Sequence, residues 1–359
     1  MAPQVTPIEE PQRGGSQAFV ADLATGLASR GHHVDVYAPS GSHIPGVNVV
    51  DTGVNPDTLR DALFRVGRSP DHRARLAVET AFGRVYEMLR SRTYDVVHNH
   101  AFDAPAVRLA SGVPAPVVHT LHLPPEAGMA DALRDARRSD ASPTVAAVSA
   151  AQARGWESVT GIDVILPPLV PTSRIPWSAS PGEGVLFAGR FSPEKGAADA
   201  IEIARSAGMR IDLYGDAYDP EYAAEYIAPR RALPNVAIHE AVPRPGLWHL
   251  MGHALAVLCP ARWDEPFGMV AAEAQACGTP VVAYRRGGLE EVIVDGVTGF
   301  LVPPNDACAA AEALRETAKL SRTGCRRHAE AHLDLERTLD LHEGLYRRVT
   351  RDNNRKERP

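Results

Sequence analysis

The chain lacks most of what would mark a secreted, membrane-spanning or nucleic-acid-binding protein. It has only four cysteines (Cys259, Cys277, Cys308, Cys325), with no Cys-x-x-Cys spacing and apolar neighbours. They read as buried reduced thiols, neither a disulfide framework nor a zinc site. No apolar run of about 18 residues occurs. The opening MAPQVTPIEEPQ holds three prolines and no apolar core of signal-peptide length. Export and membrane spanning are therefore not expected, and residence in the cytoplasm is. An excess of positive charge is missing too: a formal net charge of -6 and a pI near 6.2 give no pull toward nucleic acid or an anionic membrane. Finally, no G-x-G-x-x-G follows any early strand, which counts against a dinucleotide oxidoreductase.

What the chain does have is enough length for two hydrophobic cores, 359 residues, and a repeated alternation of strand and helix. Phe19, Val20, Leu23 and Leu27 fall on one face of a helix predicted over 16–30, with Ser16 as N-cap and Gly31 as stop. HVDVYAP, VNVVDTG, YDVVHNH, APVVHTLH and TVAAVSA then read as strands, separated by helical stretches. The proline-rich segment 163–184 reads as a connection between domains. A second alternating series runs from GVLFAGR to LAVLCP and beyond, and a last strong helix is predicted over about 326–349 before the polar tail RDNNRKERP. The expected fold is α/β: two Rossmann-like, doubly wound domains over 1–168 and 169–335, with 336–359 crossing back toward the first. Only MAPQV precedes the first glycine turn, where a doubly wound domain should begin with a buried strand. That strand is expected to be missing or cut to a stub.

Two segments carry chemistry. In VLFAGRFSPEKGAADAI a strand ends at Gly189, and Arg190 and Lys195 share the short loop before the next helix. A guanidinium fork and an ammonium beside a helix start suit a diphosphate; the plainer alternative is two solvated surface cations. In LAVLCPARWDEPFGMVAAEAQACG a strand breaks at Pro260, and a helix re-forms from about Gly268. The N–H groups of Gly268, Met269 and Val270 would form an anion-binding end. Glu273, over one turn further in, can reach ribose hydroxyls, while Glu265 faces the ligand from the preceding loop. A lone glutamate of this kind is more often a solvated helix acid, but a pair bracketing an anion-binding turn is a stronger signal.

With GGSQAFVADLATGLASRGHHVDVYAP and GGLEEVIVDGVTGFLVPPND, these segments resemble the retaining glycosyltransferases of family 4, which have the GT-B fold of two domains facing across a cleft. The resemblance covers nearly the whole chain apart from the first strand, and the element from Glu265 to Glu273 is its most specific part. It implies that Arg190 and Lys195 hold the diphosphate of a nucleotide sugar, UDP- or GDP-linked, and that Glu273 binds the ribose. Glu265 would lie beside the transferred sugar, and Phe267, Gly268, Met269 and Val270 would meet sugar and phosphate. From the N-terminal domain, Gly14 and Gly15 would let backbone approach the diphosphate. His122, chosen over His119 by its spacing after the strand, matches a family histidine that bonds the sugar's primary hydroxyl. The resemblance also implies a closing cleft, a front-face retaining mechanism, and no required cofactor or metal.

Other residues complete the reading. His98-Asn99-His100 has the look of a metal motif but no further ligand at suitable spacing. His100 is read as cleft lining or acceptor contact and His98 as structural filling. Eight arginines over 60–92 (Arg60, Arg65, Arg68, Arg73, Arg75, Arg84, Arg90, Arg92) are interspersed with acids, which favours a solvated face over a membrane-binding one. A small soluble acceptor, such as a natural-product aglycone or aminocyclitol, is expected. No Asp-x-Asp element of a metal-dependent transferase occurs. An epimerase or phosphorylase on the same fold, or a non-catalytic nucleotide- or carbohydrate-binding relative, remains as the alternative.

Overall fold

The computed structural model describes residues 1–62, 71–138, 143–180 and 182–356. Arg65 and Arg68 of the arginine-rich stretch lie outside the described residues, as does the side chain of Arg60. The chain forms two compact units: one of residues 1–9, 15–168 and 336–359, the other of 10–14 and 169–335.

In the first unit, β1 (Asp35–Ala38) and β2 (Asn48–Asp51) pair in parallel. The strands β3 (Val97–Asn99), β4 (Val117–Leu121), β5 (Thr144–Ala147) and β6 (Val164–Ile165) form a parallel sheet in that order. Met1 and Ala2 bridge the two groups as a stub: the Ala2 N–H donates to Tyr37 O, and the His100 N–H donates to Met1 O, both at 2.9 Å. Helix His72–Arg90 shows how patterning builds this core. Its cap Asp71 accepts from the Ala74 N–H, and Val78, Phe82, Val85, Tyr86 and Leu89 line one buried face. Arg73, Arg75, Arg84 and Arg90 lie on its exposed side.

The second unit holds one parallel sheet of six strands: β7 (Val185–Ala188), β8 (Ile211–Tyr214), β9 (Val236–His239), β10 (Ala256–Cys259), β11 (Val281–Tyr284) and β12 (Gly299–Val302). Their order is β12-β11-β10-β7-β8-β9. β7 and β11 are buried at every residue, as expected of strands covered by helices on both faces. Ile201, Ile211, Leu213, Leu258 and Leu314 fill the core on one side, each contributing on the order of 2 kcal/mol by removal from water.

Several expectations need correction. The first helix spans Gly15–Ser29, so Ser16 lies in its first turn and bonds Gln17, without acting as N-cap. Gly14 groups with the second unit, not with Gly15 in the first, because the segment 10–14 is anchored by Glu10, whose Oε2 accepts from the Arg244 N–H at 2.9 Å. The supposed connection 163–184 begins as the edge strand β6. The C-terminal helix is two helices, Arg322–His332 and Leu335–Lys356. They part where Val170 pairs with the chain, donating to Leu333 O and accepting from the Leu335 N–H, both at 2.9 Å. Cys308 is exposed, while Cys277 and Cys325 are buried, Cys259 is partly so, and all four are free. Among the described residues, no helix is long and apolar enough to cross a membrane.

Candidate active site

β7 and β10 are neighbours in the second sheet although the chain makes two further strands between them. Such a switch point opens a crevice outside the carboxyl ends of the strands. Both candidate segments emerge there, Gly189 to Lys195 after β7 and Pro260 to Phe267 after β10.

The structure joins them. Lys195 Nζ donates to both carboxylate oxygens of Glu265 at 2.8 Å. Trp263 Nε1 donates to Glu265 Oε2 at 2.7 Å, and its ring centroid lies 5.1 Å from the ammonium. A quarter of the Lys195 side chain and 14% of Glu265 remain exposed, so an incoming anion can compete for the lysine. Arg190 bonds Glu194 at 3.0 Å and lies 4.1 Å over the Tyr218 ring. Both cations are thus held in place by acids and aromatic faces, which removes much of the entropy cost of ordering them for a ligand.

The backbone of this loop rests on the next turn. The Gly288 N–H donates to Glu265 O at 2.7 Å. A Cβ on Gly287 would sit 2.4 Å from that same oxygen, and one on Gly288 would sit 2.6 Å from Phe267 Cα. Only glycine permits this approach of two main chains, and Gly287 also has φ +58°. Phe267 is buried, and Gly268, at φ 105°, opens the helix Met269–Ala276 with no side-chain cap. The helix start that carries Met269 and Val270 therefore presents its positive end without a capping oxygen.

Glu273 lies inside that helix, 4% exposed, and is ion-paired. Arg244 donates to its Oε1 from Nε at 2.9 Å and from Nη2 at 2.7 Å. The guanidinium also faces the Trp248 ring at 5.0 Å. Glu265 and Glu273 thus belong to separate ion pairs, one partly open and one closed.

In the first unit, His100 follows β3 and His122 follows β4, and His100 Nδ1 lies 3.1 Å from His122 Nε2. His98 stacks on His100 with centroids 4.1 Å apart, and bonds Tyr346 and Thr120. Phe19 and His342 pack against the same rings. Burial pushes His122 and His342 down to about 4 and holds His98 and His100 well below the ordinary imidazole value. At neutral pH both rings of the His100–His122 pair are uncharged and one shared hydrogen bond orients them. His119 lies inside β4, where its Nδ1 accepts from Asn99 Nδ2 at 2.7 Å; the Asn99 amide is oriented by the Ala101 N–H at its Oδ1.

Two residues escaped sequence reasoning. Trp263 stands two positions before Glu265, a spacing that offered a clue. Arg244, in the Pro-Arg-Pro turn at the start of helix Arg244–His253, is 29 positions from Glu273, and no local pattern links them.

Comparison with known proteins identifies the family. The family described as Glycosyltransferase Family 4 matches residues 13–174, and Glycosyl transferases group 1 matches residues 178–331. A D-inositol 3-phosphate glycosyltransferase of Acidothermus cellulolyticus is 30% identical over 372 residues, covering 88% of this chain and 81% of its own. AviGT4, a glycosyltransferase involved in avilamycin A biosynthesis, is 25% identical with a TM-score of 0.68, covering 98% of this chain and 96% of its own. HepE of Anabaena, solved with UDP-glucose, shares 21% identity and a TM-score of 0.70, covering 94% and 97%. The chain belongs to the family 4, group 1 glycosyltransferases and has their GT-B fold.

Proposed function

We propose that the protein transfers a sugar from a UDP- or GDP-sugar to a hydroxyl of a small soluble acceptor, with retention at the anomeric carbon and without a metal. The observation that carries this is the Lys195–Glu265–Trp263 cluster at the switch point of the second sheet, beside Arg190 and an uncapped helix start. Breaking the anomeric bond leaves negative charge on a diphosphate. Lys195, Arg190 and the helix start at Met269 and Val270 are three positive sources able to stabilise it. This supports a leaving group neutralised by protein groups. Glu265 is assigned to the transferred sugar's hydroxyls, Glu273 to the ribose, and Phe267 and Gly268 to the wall against the sugar. His122 is assigned to the sugar's primary hydroxyl, His100 to the acceptor side, and the backbone of Gly14 and Gly15 to the diphosphate. In front-face return the departing phosphate oxygen takes the acceptor's proton, so Glu265 need not act as nucleophile. HepE, which shares the fold, is known with UDP-glucose, and UDP-sugars are the first donors to test.

The test is release of nucleotide from UDP- and GDP-sugars with and without candidate acceptors, for the wild type and Glu265→Gln. Removing the carboxylate charge is expected to lower turnover about 10- to 100-fold while UDP affinity stays within about twofold. Equal loss of UDP affinity and turnover would refute the placing of Glu265 on the sugar.

A further inference from the structure

The structure assigns Trp263 as a positioning residue that keeps Glu265 aimed while Lys195 turns to the diphosphate. This rests on the function proposed above and adds a role to it. Among the described residues, three hydrogen bonds hold the Glu265 carboxylate: Lys195 Nζ to Oε1, Lys195 Nζ to Oε2, and Trp263 Nε1 to Oε2. The glutamate backbone is fixed separately through Gly288. One ammonium therefore supplies two of the three bonds that orient the side chain, and the same ammonium is the group an incoming diphosphate attracts most strongly.

A charged lysine on a flexible stem can follow the stronger anion. The indole cannot, because its N–H is neutral, donor-only and attached to a rigid ring. When Lys195 moves, Oε1 is released to accept a sugar hydroxyl, while Oε2 stays on Trp263. Without the indole N–H, both oxygens depend on Lys195, and the carboxylate is left free to rotate when the donor arrives. Trp263 should then govern turnover more than nucleotide affinity. Its ring should also report donor binding, since the ammonium now 5.1 Å from its centroid leaves on that event.

The experiment compares wild type, Trp263→Phe and Trp263→His. Donor hydrolysis is followed as UDP release from UDP-glucose without acceptor, UDP binding by calorimetry, and binding again by tryptophan fluorescence. Trp263→Phe keeps a ring under Lys195 but lacks the N–H. It is expected to lower kcat about tenfold and leave the UDP dissociation constant within about twofold. It should also reduce the fluorescence change that UDP causes in the wild type, leaving the part due to Trp248 beside Arg244. Trp263→His, which retains a ring N–H, should recover part of kcat. Wild-type kcat in Trp263→Phe, or equal losses of kcat and UDP affinity, overturns the assignment. A wild type that neither binds UDP nor releases it from UDP-glucose shows instead that the underlying donor reading fails, and this role with it.

Discussion

Between pH 6.5 and about 4 the first unit is expected to lose on the order of several kcal/mol of stability. Its buried rings set the direction. His122 and His342 are pushed down to about 4, His119 to about 3, and His98 and His100 well below their ordinary value, chiefly by burial. In that window the unfolded chain binds protons that the folded rings refuse, so the rings' contribution to stability is complete above pH 6.5 and falls as the pH falls. His100 and His122 take up protons as a pair, because they share a hydrogen bond. Asp103 works the other way. Burial beside Glu126 raises it to about 7, so its protonation stabilises the folded unit as pH drops, offsetting roughly one imidazole. Geometry makes the rings unable to accept the proton cheaply: His342 donates from Nδ1 to Thr338 O at 2.7 Å, and its buried Nε2 has no hydrogen-bond partner among the described residues. Calorimetric unfolding of the wild type from pH 7.5 to 4.5 measures the loss, and His342→Leu should make the pH dependence shallower. An unfolding temperature independent of pH across that range, or the same slope in His342→Leu, would contradict the account.

The same cluster shows what the sequence could and could not reveal. Strand ends at Asn99 and Leu121 were readable from short β-branched runs breaking into polar residues, so His100 and His122 could be placed at neighbouring strand ends. His342 and Tyr346 join them from more than 200 positions away, and no periodicity encodes that meeting. In the second unit, the Gly287-Gly288 pair carries the glutamate loop through a close backbone approach, of the kind that glycine pairs at loop ends mark. The partners of the acids were not legible in the sequence. Lys195, read from the sequence as a diphosphate group, also holds Glu265, a partly buried carboxylate 70 positions away that takes the nearest cation. Likewise the break at Leu333 and Asp334 has no glycine or proline to announce it. It is imposed by pairing with Val170, a contact made only once the chain has folded.

Replacing Glu273 by alanine is expected to cost the second unit about 1–3 kcal/mol, on top of its effect on the nucleotide. Arg244 is 8% exposed and gives two hydrogen bonds to Glu273 Oε1. Losing that acceptor takes away two hydrogen bonds from a buried guanidinium, and the penalty of a buried donor with fewer acceptors exceeds the net worth of the bonds themselves. A loss of UDP affinity in Glu273→Ala alone would therefore be ambiguous, because a destabilised unit also binds less well. The double variant Arg244→Met with Glu273→Met resolves it. Apolar side chains of similar length can replace a buried ion pair at little cost, so the unfolding temperature should return close to that of the wild type. UDP affinity should not return, because no carboxylate remains to accept the ribose hydroxyls. Recovery of both stability and UDP binding in the double variant would reduce Glu273 to a partner for Arg244 and refute its ribose role. An unchanged unfolding temperature in Glu273→Ala would refute the buried pair. With Glu265→Gln expected to spare UDP affinity, these outcomes decide whether the two glutamates divide the donor between them, the partly exposed one taking the sugar and the buried one taking the nucleoside.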